Sequence, residues 1–520
     1  MWLGVVVFVA MSLWWLTQDD RVPDFDSGLH MTYAMVAHSE IASGKVTAPF
    51  TDWNTYPPLV HLLGALTISL FGMHPMALIL SSNVVFVPLL AFGCFGVGRI
   101  VGGPRAGLLA AVFALGAPMF VSMMHEYDLD PPQAAMVAVS VWAVLASRRF
   151  ERTGIALLGG VLTGLALMTK ETSVVFLAGL VATAIVRGGW RHPLGLAAYA
   201  AGALAIAAWW YLYHRHDVTS ALGVIGGATP DALQAPPRWT VRNWGWYLWD
   251  LSNLQISAPF LLAFGAGTVA AIRESLRRRG PDNVLPELLV GGLFSYVGMS
   301  WLVHKDPRYT LPALVYVAVL ATWWIPRISR LPLRRGLTGA VVAVAILNFV
   351  GMSTGFDGPV VLRLPGAEDS VIRQHELVLY QSDGWVRGGP VHDAAVLSLM
   401  KGLRRLGIRD VEPDPSADTL DFNASGLIAL AATAGLAAPS EPLAEPYNAI
   451  LLRRIVHPGD PPPCQRLLDG TGIYVLRGVF VGLNTETLSN AADPSQSYTL
   501  VCPGRPEHVI PALVPSRASA

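Results

Sequence analysis

Charge is what this sequence has least of. Lys plus Arg number 36 in 520 residues and Asp plus Glu number 36, so charged residues are 14% of the chain and the net charge is zero. A soluble globular domain carries about 25%, so most of this chain never meets water. With no excess of positive charge, nucleic acid has nothing to be drawn to. Cysteine is scarcer still: there are 3, with no CxxC spacing, which argues against a structural zinc site or a dithiol redox motif. No internal repeat and no low-complexity tract is present beyond an Ala/Leu bias.

What the chain has instead is apolar residues, 53% of the total, and a mean hydropathy of +0.46. A spanning helix needs about 20 largely apolar residues, because hydrocarbon leaves bare backbone amides unsatisfied. Candidate spans are 2–16, 77–98, 106–124, 131–147, 154–169, 173–187, 194–213, 256–272, 285–303, 309–325 and 337–353. The first lacks the basic start and small-residue cleavage site of a signal peptide, so it reads as an anchor.

Arginines mark alternate connections: Arg99 and Arg105; Arg148, Arg149 and Arg152; Arg187 and Arg191; Arg273, Arg277, Arg278 and Arg279; Arg327, Arg330, Arg334 and Arg335. The positive-inside rule puts those loops in the cytoplasm. The pattern closes if 58–71 lies in the outer interface rather than spanning. The expected fold is therefore a polytopic α-helical membrane protein of about 11 transmembrane helices over 1–355. From 356 to 520 polar residues, prolines and glycines rise, and a soluble extracytoplasmic α/β domain is expected. Cys464 and Cys502 fall there, where a disulfide is permitted.

This topology places the unusual polar clusters in outer loops at 17–76, 125–130, 214–255 and 304–309, with Lys170-Glu171 between two short spans. The first loop holds Asp24-Phe25-Asp26, His30, Trp53 and Tyr56-Pro57-Pro58, and the second is His125-Glu126-Tyr127-Asp128-Leu129-Asp130. The long loop carries Trp239, Trp244, Trp246 and Trp249, and the last is His304-Lys305-Asp306-Pro307-Arg308-Tyr309. Charges at helix ends also serve as interfacial anchors, and tryptophans as an interfacial belt. Two acidic pairs beside apolar helices are harder to place that way, because they need a polar cavity or partners.

Such parts suit transfer of a sugar from a phosphate-linked donor. A carboxylate takes the proton of the acceptor hydroxyl, and Lys or Arg neutralises the departing phosphate. Asp24, Asp26, Asp128 and Asp130 are the candidate catalytic acids. His30, Tyr56, His125, Glu126, Lys170, His304, Lys305, Arg308 and Tyr309 are the candidate substrate contacts. The His125–Asp130 run also offers oxygen ligands for a divalent cation.

At these residues the chain resembles the GT-C glycosyltransferases, in particular protein O-mannosyltransferases and lipid A aminoarabinose transferases. The resemblance rests on Asp24-Phe25-Asp26-Ser27-Gly28, Tyr56-Pro57-Pro58-Leu59, Leu129-Asp130-Pro131-Pro132 and the 304–309 run, and covers roughly 1–355. It implies a polyprenyl-phosphate sugar donor, an inverting transfer to a protein, lipid or glycan acceptor, and a first-loop catalytic acid. By position that acid is Asp26, with Asp24 second. The chain departs from its relatives in two places. Ser27 stands where many have Glu, and Tyr56 where many have Lys. The second departure shifts phosphate contact to Lys170, Lys305 or Arg308. A transporter or flippase, a non-catalytic glycan-binding protein of the cell envelope, and a hydrolase of lipid-linked sugars are the alternatives.

Overall fold

The structure is a computed structural model that describes residues 1–19, 21, 23–51, 56–219, 236–278, 280, 282–302, 305–356, 358–363, 376–382 and 388–390. It also describes the strands 411–413, 447–453, 473–480, 498–500 and 508–510. Trp53, His304, Cys464 and Cys502 lie outside these residues, and with them the expected disulfide. The chain divides into two units. One comprises Met1–Trp15, Ala37–Gly64 and Ile79–Pro390; the other comprises Leu16–Val36, Ala65–Leu78 and Val391–Ala520.

Every apolar run singled out from hydropathy is helical. The helices are Trp2–Gln18, Pro75–Gly102, Pro104–Leu115 with Pro118–Met123, Asp130–Ala146, Thr153–Leu167, Ser173–Val186, Pro193–Tyr213, Ser257–Arg277, Leu285–Trp301, Leu314–Thr322 and Leu331–Thr354. Two runs are less regular than their hydropathy suggests. The 106–124 run breaks at Gly116-Ala117, because Pro118 opens a new helix. The last-but-one begins as a 3-10 turn, Pro307–Ala313, with proline at its start and again at Pro312. Among the described residues, four helical segments are long and apolar enough to cross a membrane by length and composition: Pro75–Gly102, Pro193–Tyr213, Pro307–Arg327 and Leu331–Thr354.

The helices approach closely where glycine faces backbone. A Cβ at Gly160 would collide with the carbonyl of Tyr199, and one at Gly267 with the carbonyl of Leu320. Thr163 and Tyr199 add a hydroxyl–hydroxyl bond of 3.0 Å along the first contact. This is the small-residue packing that membrane helices use in place of a hydrophobic driving force.

Among the described residues, two longer helices, Phe25–Ala42 and Val241–Asp250, have no counterpart in the hydropathy reading. Phe25–Ala42 is helical over 18 residues within the presumed first loop. Its Asp26, His30, His38 and Glu40 keep any 18-residue window from looking like a span. In the second unit, Val411–Pro413 pairs parallel with Tyr447–Arg453. Ile473–Phe480, Tyr498–Leu500 and His508–Ile510 follow in antiparallel order. Among the described residues beyond 356 there are strands and no helix.

A charge cluster fastens one end of the Asp130–Ala146, Ser173–Val186 and Leu285–Trp301 helices. Glu287 is 1% exposed and takes Arg149 at 2.7 Å on one oxygen and Arg187 at 2.5 Å on the other. Both arginines also donate to the carbonyl of Asn283. To reach it, Arg148, Arg149 and Phe150 adopt left-handed backbone with φ of 53, 56 and 69°. That conformation costs roughly 1–2 kcal/mol per residue, which the cluster offsets. Removing the shared carboxylate strands two cations, a loss of roughly 3–5 kcal/mol for a buried pair. Glu287→Ala is therefore expected to lower the thermal midpoint in detergent by several degrees. An unchanged midpoint would mean that Asn283 and water satisfy the arginines alone.

Candidate active site

At the opposite ends of the same three helices the sequence places its acidic run. Asp130 is the first residue of its helix, and Pro131 and Pro132 follow in the first turn, where a missing amide costs nothing. Asp128 folds back to cap this start, its Oδ1 accepting from the amides of Leu129 and Asp130. His125, Glu126, Asp128 and Asp130 are all buried, between 1% and 3% exposed. Two hydrogen bonds from Asn83, inside the long Pro75–Gly102 helix, help hold the run: its amide donates to the carbonyls of Ile79 and Met124, both at 2.8 Å. Trp15 stacks flat on His125 with ring centroids 4.1 Å apart.

Buried carboxylates need partners, and two other loops supply them. Lys170, just past the Thr153–Leu167 helix, donates to Asp130 Oδ1 at 2.8 Å. Gln133 bonds Thr172 and Ser173 at 2.9 and 3.0 Å, which seats the Lys170 loop against the Asp130 helix. Arg308 comes from the turn before the Leu314–Thr322 helix. Its Nη1 donates to Asp128 Oδ2 at 2.9 Å, while Nε and Nη2 fork onto Asp306 at 3.0 and 2.8 Å. Asp306 also caps its own turn by accepting from the Arg308 amide at 2.8 Å. Tyr309 lies under Lys170, with the ammonium 4.8 Å from the ring centre. Asp128, Asp130, Lys170, Asp306, Arg308 and Tyr309 thus form one network drawn from three loops.

The Tyr56-Pro57-Pro58 segment is brought alongside by two backbone contacts. Leu59 donates to the carbonyl of Met168 at 3.0 Å, and the Tyr127 hydroxyl donates to the carbonyl of Val60 at 2.6 Å. Lys305 points elsewhere. Fully buried, its ammonium donates to the carbonyls of Met299, Ser300 and Leu302 at 3.2, 2.8 and 2.7 Å, closing the end of the Leu285–Trp301 helix. Asp24, Asp26 and His30 belong to the second unit. There Asp26 sits in the first turn of the Phe25–Ala42 helix, where the helix dipole favours its negative charge. Asp24 caps that start by its carbonyl, which accepts from Gly28 at 2.7 Å, and His30 faces Tyr33 with centroids 6.5 Å apart. Among the described residues no three His, Cys, Asp or Glu side chains gather as metal ligands would.

Two buried residues had not been singled out from the sequence. Asp250 ends the Val241–Asp250 helix, and Gln255 closes the π-helical turn Leu251–Gln255 that follows. Together they hold the 307–310 turn, and Gln255 and Thr310 border a cavity of about 240 Å³ whose walls are mostly apolar, among them Leu251, Phe264 and Leu293. The signal was available: Asn243, Trp246, Tyr247 and Asp250 repeat at helical spacing and are all buried, while Val241 and Leu248 face outward.

Burial pushes the Asp130 carboxyl up to about 7, with Lys170 and Arg308 pulling it down and Asp128 pushing it further up. Burial is the largest single influence on the Lys170 ammonium and works against it, but Asp130, Tyr309 and Asp128 together outweigh it and hold the lysine above its ordinary range. Burial, aided by the Arg238 guanidinium, pushes Lys305 down to about 7.

Residues 55–213 match the family model described as dolichyl-phosphate-mannose-protein mannosyltransferase. The resemblance drawn from the motifs holds over that stretch, which carries Tyr56, the His125–Asp130 run and Lys170. Among solved structures, ArnT from Cupriavidus metallidurans, in the apo state and bound to undecaprenyl phosphate, is similar at 18% identity and a TM-score of 0.49. The alignment covers 83% of this chain and 74% of that one. The oligosaccharyltransferase of Archaeoglobus fulgidus, in complex with Zn and sulfate, is similar at 12% identity, 76% and 55% coverage and a TM-score of 0.43. AglB from the same organism, in complex with an inhibitory peptide and a dolichol-phosphate, gives 14%, 67%, 54% and 0.42. No curated protein sequence matches the chain.

An acid that titrates near 7 is visible in the infrared. A protonated-carboxyl band is expected to grow as pH falls through about 7 and to be missing in Asp130→Asn. A band that survives the substitution would assign the proton elsewhere.

Proposed function

We propose that this protein is a membrane glycosyltransferase that moves a sugar from a polyprenyl-phosphate donor to an extracytoplasmic acceptor, with inversion at the sugar carbon. The observation that carries the reading is the meeting of Lys170 and Arg308, from two separate loops, on the carboxylates of one acidic run. Each cation keeps only 11–12% of its side-chain surface exposed, so each is strong and desolvated rather than a surface anchor. The match of residues 55–213 to a mannosyltransferase family supports the same chemistry.

On this reading the donor phosphate competes with the carboxylates for the two cations. Arg308 offers a planar fork that suits a phosphate. Lys170 turns from Asp130 to the phosphate, and Asp130, already displaced upward by burial, takes a proton in compensation. The acceptor hydroxyl attacks the sugar carbon and the bond from that carbon to the phosphate oxygen breaks. The lipid phosphate leaves with the electron pair, held by Lys170 and Arg308. The hydroxyl proton goes to a first-loop acid, Asp26, a role that rests on the resemblance alone.

The arginine-rich connections support a site on the outer face of the cell membrane. The same charge pattern favours eleven spans, with 58–71 in the interface. Any divalent cation would bind with donor and acceptor, since no ligand set of the protein's own stands ready among the described residues.

The test is transfer by purified protein from radiolabelled polyprenyl-phosphate sugars into a membrane extract. Wild type is expected to move label to an acceptor, and Asp26→Asn to lose at least about 100-fold, the usual worth of a general base. Arg308→Ala is expected to weaken donor binding instead. Consumption of no donor by a folded sample would sink the transferase, and full turnover by Asp26→Asn would sink only the base.

A further inference from the structure

Asp250 is a buried acid with no cation beside it among the described residues. It is 0% exposed, at the point where the Val241–Asp250 helix widens into the π-helical turn Leu251–Gln255. The wider turn lets Gln255 fold back onto the residue five before it. The Gln255 amide then donates to Asp250 Oδ2 at 3.2 Å, to Thr310 Oγ1 at 3.2 Å and to the carbonyl of Pro307. Thr310 also donates to Asp250 Oδ2, at 3.4 Å. Asp250 Oδ1 has no hydrogen-bond partner among the described residues.

These contacts bracket Arg308. Pro307 precedes it and Thr310 follows two residues on, so one amide holds both sides of the turn that presents the guanidinium. A carboxylate here would be a buried charge served only by neutral donors, which low dielectric penalises heavily. Another carboxylate, Asp306, acts on it and disfavours its charge further. Burial pushes Asp250 well above the ordinary carboxylate range; Gln255 and Thr310 pull the other way and Asp306 adds to the rise. A π-helical turn is an uncommon device that costs regular hydrogen bonding and is kept mostly at functional positions.

We propose that Asp250 acts as a neutral carboxylic acid that positions Arg308, through Gln255 and the Pro307–Thr310 turn. It touches no substrate and is a positioning residue. The inference rests on Arg308 as the donor-phosphate contact, but its structural half stands apart from that reading.

The experiment compares wild type, Asp250→Asn and Asp250→Ala as full-length protein in nanodiscs. Hydrogen–deuterium exchange reads the amides of Arg308 and Tyr309, which donate to Asp306 at 2.8 and 3.1 Å. Undecaprenyl phosphate serves as the binding probe, and thermal unfolding is recorded for each variant. Asp250→Asn keeps the volume, the neutrality and an acceptor for Gln255. It is expected to match wild type within about twofold in exchange and affinity. Asp250→Ala is expected to speed exchange at the 308–309 amides about tenfold and to weaken the probe about tenfold, with other peptides unchanged. Asparagine behaving like alanine would overturn the neutral acid. Alanine behaving like wild type would overturn the positioning role, as would faster exchange across the whole protein with a lower midpoint. If wild type binds no undecaprenyl phosphate, the donor reading falls, and the exchange data alone decide the role of Asp250.

Discussion

The structure of the first unit turns on one pair, Asp128 with Arg308, 180 positions apart in sequence and 2.9 Å apart in space. Each side chain is nearly dry, and a buried charge without a partner costs several kcal/mol. Neither loop can move off the other without exposing that cost. Asp128 also caps the helix that begins at Asp130, and Arg308 is forked onto the Asp306 that caps its own turn. The pair therefore fixes two helix starts as well as two loops. Replacing a buried pair with apolar groups is often neutral or better for stability, so packing alone gives little reason to keep this one. A reason lies in the chemistry the charges make available.

The two charge clusters of the unit occupy opposite ends of the same three helices but differ in balance. Around Glu287 there are two cations and one carboxylate, with the carboxylate sealed and shared. Around Arg308 and Lys170 there are three carboxylates and two cations. An excess negative charge in a dry place is relieved by binding a proton, and Asp130 is the acid displaced toward neutral pH. The first arrangement is closed, since every group is used. The second can exchange a proton and a partner, which is what an arriving phosphate would require of it. The same three rigid helices separate the two, so rearrangement at one end need not disturb the other.

Hydropathy located the helices because a membrane demands a self-satisfied backbone, and each apolar run examined by that rule proved helical. The rule says nothing about helices that carry polar residues among apolar ones, and Phe25–Ala42 escaped it for that reason: its polar residues are spread around the helix rather than absent. The acidic run was legible as an anomaly, since four buried polar side chains beside apolar helices must be explained. Lys170 and Arg308 were legible by type as candidate substrate contacts. Their pairing was not, because 40 and 180 residues separate them from their carboxylates and no local pattern encodes such distances. Asp250 was hidden by company. Three tryptophans and a tyrosine on one ten-residue helix suggest an interfacial belt, and only the burial of the helix's polar face separates that from a structural wedge.

Lys305 shows why a motif fixes residue types more securely than directions. It lies three positions before Arg308, and on a 3-10 helix that spacing would stack the two side chains. The 3-10 turn here starts only at Pro307, with Asp306 as its cap, so Lys305 stands outside the helix. Its backbone is free to turn, and the nearest strong acceptors are the unsatisfied carbonyls ending the Leu285–Trp301 helix, which need donors. An ammonium has three donors and finds three carbonyls there. Arg308 is inside the turn, held by the amide and carboxylate of its cap, and has no such choice. With Lys305 turned onto its own chain, the cations that pair with the acidic run among the described residues are Lys170 and Arg308.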